Sequence, residues 1–198
     1  MAATLAACAL INAPRTICPG MLPPGLPAGL TWVTHDRDIC IATDSGIRQI
    51  YRWGGDGYPS GLVWSPDGQT LAVQDFPAVE FVSIAGEVRE MPELEPQWYM
   101  DRPRRGALED PVLSANGEFV AAYRPNVGLL LGASGPQARL RHVTDGPGEL
   151  AWSPDSAWLA FDKPAVWRWE VGRLFLVRSN GTSLIEVAVF AGSPAWRP

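Results

Sequence analysis

The sequence predicts an all-β fold made of four copies of one four-stranded antiparallel unit. Three observations predict it. A phrase recurs: Leu62-Val63-Trp64-Ser65-Pro66-Asp67-Gly68 returns as Leu150-Ala151-Trp152-Ser153-Pro154-Asp155-Ser156. A worn copy, Val112-Leu113-Ser114-Ala115-Asn116-Gly117, lies between them, and a truncated copy, Ser193-Pro194-Ala195-Trp196-Arg197-Pro198, ends the sequence. The anchors Trp64, Leu113, Trp152 and Trp196 stand 49, 39 and 44 residues apart, the spacing of stacked copies of one supersecondary unit. The third observation is a missing strand at the start of the first unit, matched by a surplus strand at the end of the last.

Each copy has the same internal order. A short apolar strand ends at the Trp or Leu anchor. A Ser-Pro-Asp type turn follows, in which Pro presets φ. The second strands are Thr70-Leu71-Ala72-Val73, Phe119-Val120-Ala121-Ala122 and Trp158-Leu159-Ala160-Phe161. A third strand runs into a small-residue turn, as at Ile84-Ala85-Gly86, Ala133-Ser134-Gly135 and Ser179-Asn180-Gly181, which suits a tight hairpin. A more polar fourth strand completes the unit, as in Ala138-Arg139-Leu140-Arg141-His142-Val143. Four short strands per period of about 40–45 residues describe a propeller blade.

The first blade is shifted. Leu30 to Val33 reads as its second strand, Asp38 to Ala42 as its third and Ile47 to Trp53 as its fourth. Pairing Ala195-Trp196 against Leu30–Val33 supplies the innermost strand, closes the ring at four blades and removes two open edges. The alternatives are a fragment of a larger propeller, or an open array that pairs with a second copy.

The stretch from Leu140 to Ser156, with Thr144-Asp145-Gly146-Pro147-Gly148 leading into Ala151-Trp152-Ser153-Pro154-Asp155, resembles the TolB-like propeller repeat. The resemblance covers roughly Leu30 to Pro198. Ser156 departs from it, where the family has Gly and the earlier copy has Gly68; four blades also depart from the six more common in the family. The resemblance implies a β-propeller, a protein-interaction role in the bacterial envelope, and no catalytic residues.

Residues 30–198 are therefore expected to form the propeller domain and 1–29 a tether, since 14–29 carry five Pro and three Gly. Leu5-Ala6-Ala7-Cys8 has the form of a lipoprotein cleavage site, so Cys8 is a candidate for lipidation, although only seven residues precede it and none is basic. With Cys8 taken by a lipid, Cys18 and Cys40 remain to bridge in an oxidising compartment. The alternative is three ordinary thiols. The expected location is the periplasm or the cell exterior, with lipid-anchored attachment; the alternative is the cytoplasm. Met1 to Ile11 is apolar but far short of the about 20 residues of a membrane span.

Net charge is −5 and the pI is near 5, which argues against a nucleic-acid surface, because phosphate binding accumulates Lys and Arg. No phosphate loop, metal-type Cys/His spacing or nucleophile elbow is present in the sequence, so no cofactor, metal site or catalytic residue is expected. His35 sits in a polar turn and His142 on an outer strand. Asp67 and Asp155 are expected to fix their turns, because single carboxylates in separate blades do not supply the six to eight oxygens of a calcium site. The anchor Trp residues are expected to pack between blades.

Two links are longer than the repeat requires: Glu95 to Gly106, between the second and third blades, and Lys163 to Glu170, between the second and third strands of the fourth. Both mix Trp and Arg. In an up-and-down blade the 2–3 link and the link to the next blade emerge on one face, so the elaboration is one-sided. Long loops on a rigid scaffold commonly carry binding, and Trp, Tyr and Arg dominate interface hot spots. Trp98, Tyr99, Arg102, Arg104, Arg105, Trp167, Arg168 and Trp169 are therefore the candidate partner-binding residues, on a non-catalytic interaction or scaffold module with a protein partner. The alternative is a propeller that binds a carbohydrate or anionic small molecule and is associated with an enzyme; it would need paired carboxylates near the axis, and the sequence offers only scattered ones such as Glu109-Asp110.

Overall fold

A computed structural model describes Cys18, Gly20 and residues 22–75, 78–89, 111–136, 139–163 and 172–198. Among the described residues, sixteen strands form four sheets of four, each antiparallel. Blade 1 contains β1 (Leu30–Thr34), β2 (Asp38–Thr43) and β3 (Gly46–Arg52). Blade 2 contains β4 (Gly61–Trp64), β5 (Thr70–Asp75), β6 (Ala78–Ser83) and β7 (Val88–Arg89). Blade 3 contains β8 (Val112–Leu113), β9 (Phe119–Arg124), β10 (Gly128–Ala133) and β11 (Arg141–Thr144). Blade 4 contains β12 (Leu150–Trp152), β13 (Trp158–Lys163), β14 (Arg173–Arg178) and β15 (Ile185–Val189). The last strand, β16 (Ala191–Trp196), joins blade 1, giving the order β16-β1-β2-β3.

The expected complementation is therefore present. Leu30 pairs with Trp196 and Thr31 with Ala195. The ladder shifts register between Thr31 and Val33. Pro194 falls at that shift, where a residue without an N–H does least harm.

The turns between first and second strands repeat one hydrogen-bond circuit. In blade 2, Ser65 Oγ donates to Asp67 Oδ1 at 2.6 Å, and Ser65 Oγ accepts from the Thr70 N–H at 3.0 Å. In blade 4, Ser153 and Asp155 repeat it, with Trp158 N–H as the donor to Ser153. Blade 3 keeps it with Asn116 in place of Asp: Ser114 donates to Asn116, and Phe119 N–H donates to Ser114. The side chains thus replace backbone partners that the tight turn leaves unpaired. The carboxylates are structural, as the sequence indicates.

The core lies between blades. One cluster joins blade 1 to blade 4 through Leu30, Trp32, Trp158, Leu174 and Trp196. A second joins blade 1 to blade 2 through Val33, Ile39, Trp64, Leu71 and Val73. A third joins blade 3 to blade 4 through Ala121, Leu129, Leu131, Leu159 and Phe161. The fourth, Ala72 with Phe81, stays within blade 2. Among the described residues, no cluster or hydrogen bond joins blade 2 to blade 3.

The anchor tryptophans do more than pack. Trp196 Nε1 donates to Ala151 O at 3.0 Å, from blade 1 to the inner strand of blade 4. Trp152 Nε1 donates to Val112 O at 3.0 Å, from blade 4 to blade 3. Trp64 Nε1 donates to Thr31 Oγ1 at 3.0 Å, from blade 2 to blade 1. Each indole ties its blade to the preceding one. Blade 3 has Leu113 at that position, which has no N–H to give and is 57% exposed. Among the described residues, the relay stops at the same junction where the core clusters stop.

Cys18 and Cys40 form a disulfide with Cα atoms 5.5 Å apart. Both are buried in the cluster between blades 1 and 4, and Leu22 and Leu26 pack against it. The bond thus fastens residues upstream of β1 to the third strand of blade 1.

Candidate interaction face

Among the described residues, links between second and third strands and links between blades meet on one side of the blades. Lys163, at the end of β13, donates from Nζ to Thr144 Oγ1 at 3.2 Å, at the end of β11. The β1–β2 link meets the β15–β16 link where His35 N–H donates to Phe190 O at 2.6 Å. The link from blade 1 to blade 2 joins them through Tyr58 Oη, which donates to Thr34 O at 2.8 Å. The Arg37 guanidinium reaches across to Gly55 O. The opposite side carries the Ser-Pro-Asp turns and the hairpin turns, tied down by bonds such as Arg197 Nε to Gly68 O at 2.7 Å.

Trp98, Tyr99, Arg102, Arg104, Arg105, Trp167, Arg168 and Trp169 lie outside the described residues, as does Cys8. Their flanks are described. The first long link leaves from β7 and returns just before β8; the second leaves from Lys163 and returns at Gly172 before β14. The Lys163–Thr144 contact places the second departure point on the side described above.

Sequence reasoning missed an aromatic element of this face. Phe190 is 47% exposed and Tyr58 41% exposed. The His35 and Phe190 rings lie 5.9 Å apart. Phe190 has φ +55°, a conformation unfavourable for a bulky residue and retained where the surroundings over-determine it. Its carbonyl receives the His35 N–H, which holds it there. No sequence pattern marks Phe190, because its position depends on β16 reversing into blade 1.

Beneath the aromatics, the acidic side chains are engaged in structure. Asp162, buried, accepts Glu149 N–H on Oδ1 at 2.5 Å and Ser193 N–H on Oδ2 at 3.1 Å. It thereby couples the inner strand of blade 4 to the closing strand, a role invisible in the repeat pattern. Asp38, also buried, accepts from Gln49 Nε2 at 2.8 Å. His142 is exposed on β11 and faces Asp145 at 2.9 Å, as a surface pair. Among the described residues, no group of three or more His, Cys, Asp or Glu is placed to hold a metal ion. No helix among them is long and apolar enough to cross a membrane.

No protein-family model matches the chain, and no curated protein matches it in sequence. Solved structures match the chain at low similarity. A eukaryotic initiation factor is 12% identical with a TM-score of 0.32, covering 82% of this chain and 52% of its own. A protein assigned as a TolB from Agrobacterium tumefaciens is 16% identical with a TM-score of 0.30, covering 82% of this chain and 62% of its own. One assigned as a 6-phosphogluconolactonase from Bacteroides uniformis is 15% identical with a TM-score of 0.30, covering 80% and 56%. The chain thus spans about half to three-fifths of the length of these structures. The all-β architecture of four four-stranded antiparallel sheets is read from the chain itself.

Proposed function

We propose that the chain is a non-catalytic protein-interaction module whose working surface is the side that carries the 2–3 links and the links between blades. One observation carries the reading: contacts such as Lys163–Thr144 and Tyr58–Thr34 gather the described ends of such links on a single side, where Tyr58, His35 and Phe190 are exposed. In this reading Trp98, Tyr99, Trp167 and Trp169 supply buried area, while Arg102, Arg104, Arg105 and Arg168 meet carboxylates on the partner and set its orientation. The partner is a protein with an acidic, partly apolar surface.

The test is capture from an envelope extract of the native host, followed by affinity measurement with the identified partner. Trp98→Ala, Trp167→Ala and Phe190→Ala should each weaken binding, by about 2 kcal/mol or more at a hot spot, and leave the melting temperature in place. Substitutions that lower melting sharply yet leave affinity unchanged would make these side chains core lids and overturn the proposal.

We also propose export to an oxidising compartment, with a lipid on Cys8. The disulfide supports it, since such bonds persist outside the cytoplasm. Alkylation of the denatured, unreduced protein from its host should find no thiol at Cys18 or Cys40, and its intact mass should carry the lipid. Three free thiols and an unmodified mass would contradict both parts.

A further inference from the structure

Asparagine stands at four positions, and one of them opens an Asn-x-Ser/Thr triplet: Asn180-Gly181-Thr182. The triplet lies in the link between β14 and β15, every residue of which is described. Arg178 N–H donates to Thr182 O at 2.9 Å, and Gly181 N–H donates to Arg178 O at 2.8 Å. These bonds close a tight reversal in which Gly181 takes φ +77°, a conformation that costs glycine no Cβ clash. Ser179 N–H donates to Ala157 O at 3.0 Å, which pins the link beside the Ser-Pro-Asp turn of blade 4, on the side opposite the candidate interaction face. Asn180 and Thr182 are exposed beyond that point. Asn180 Oδ1 accepts the Thr182 N–H at 3.0 Å and the Thr182 hydroxyl at 2.6 Å. Its Nδ2 has no partner among the described residues and is the free end of an exposed amide. Asn116 is the contrast. Its Oδ1 takes the Ser114 hydroxyl and the Glu118 N–H, its Nδ2 donates to Glu118, and Glu118 stands where a triplet needs Ser or Thr.

We propose that Asn180 is an N-glycosylation site. The co-reactant is an oligosaccharide carried on a lipid diphosphate, transferred outside the cytoplasm, so the proposal rests on the export proposed above. A bond forms between Asn180 Nδ2 and the anomeric carbon of the sugar. The bond from that carbon to the diphosphate oxygen breaks, and the lipid diphosphate leaves with the electron pair. One Nδ2 proton passes to a base of the transferase. Thr182 is the positioning residue, supplying the hydroxyl by which the triplet is recognised. A glycan here adds a bulky, solubilising group to the hairpin-turn side and leaves the opposite side clear for a protein partner.

Peptide mapping by mass spectrometry of the unreduced full chain, purified from its native host, tests this. The peptide that contains Asn180 should carry a glycan, seen as saccharide fragment ions with the attachment at Asn180. Asn180→Gln and Thr182→Ala, produced in the same host, should lose it. Thr182→Ser keeps the hydroxyl and should retain it. The linked Cys18–Cys40 peptide in the same map reports that each variant has folded and been exported. An unmodified Asn180 in a chain with that link intact overturns the proposal and leaves export standing. An unmodified Asn180 beside free Cys18 and Cys40 overturns both. A glycan that survives Asn180→Gln, or an Asn180 glycan that survives Thr182→Ala, also overturns the proposal.

Discussion

Ser156 stands where the earlier turn has Gly68, and both adopt a left-handed backbone, φ +59° and +64°. A serine there is strained, yet its Oγ accepts the Asn116 N–H at 3.0 Å and ties blade 4 to blade 3. Ser156→Ala should lose the bond and keep the strain, costing about 1–2 kcal/mol in denaturant unfolding. Ser156→Gly loses the same bond but relieves the strain, so it should cost about 1 kcal/mol less than alanine. Equal losses would mean that the left-handed backbone at position 156 carries no strain, and no loss in either variant would mean that the bond contributes nothing. Trp152→Phe keeps the ring and removes the N–H to Val112 O; it should cost about 1 kcal/mol. A second residue-scale prediction concerns Tyr51. Burial, and then its hydrogen bond to Glu80, push its hydroxyl up to about 12. A folded value above the ordinary 10 means that the fold favours the neutral phenol. Its stabilising contribution is therefore complete below about pH 10 and is lost as pH rises through about 12. The loss of stability between those limits should be smaller in Tyr51→Phe. An identical alkaline profile for both proteins would contradict the assignment.

At the scale of the element, the turn circuits and strand alternation were readable because they are local. Ser65-Pro66-Asp67 and Ser153-Pro154-Asp155 carry their own hydrogen-bond partners within five residues. The pairing of β16 with β1 was readable from the surplus strand alone, since only one blade lacked an inner strand. Other features depended on which strands become neighbours. Asp162 bridges Glu149 and Ser193 only once β16 has returned, and Phe190 becomes a surface aromatic only through that reversal. The disulfide is the element-scale staple. It closes a loop with a sequence separation of 22, so reduction should lower stability by about 3 kcal/mol on chain-entropy grounds. Melting with and without a strong reductant measures it. No shift would mean that residues near Cys18 are held by packing alone.

For the whole molecule, the account is of four blades held by three kinds of tie: interblade apolar clusters, the tryptophan relay, and a last strand that completes the first blade. The junction without a relay tryptophan, at Leu113, is also the one without a described cluster. Along the other three junctions, buried aromatics and indole hydrogen bonds coincide. These ties hold the described blades together and bring the described ends of their links to one side. The account rests most directly on β16 as the inner strand of blade 1. Hydrogen exchange in a chain truncated after Phe190 tests it. Amides of Leu30–Thr34 should lose protection, and those of Trp158–Lys163 should weaken with them, because β16 joins the cluster shared by both blades. Full protection of Leu30–Thr34 without β16 would contradict the account.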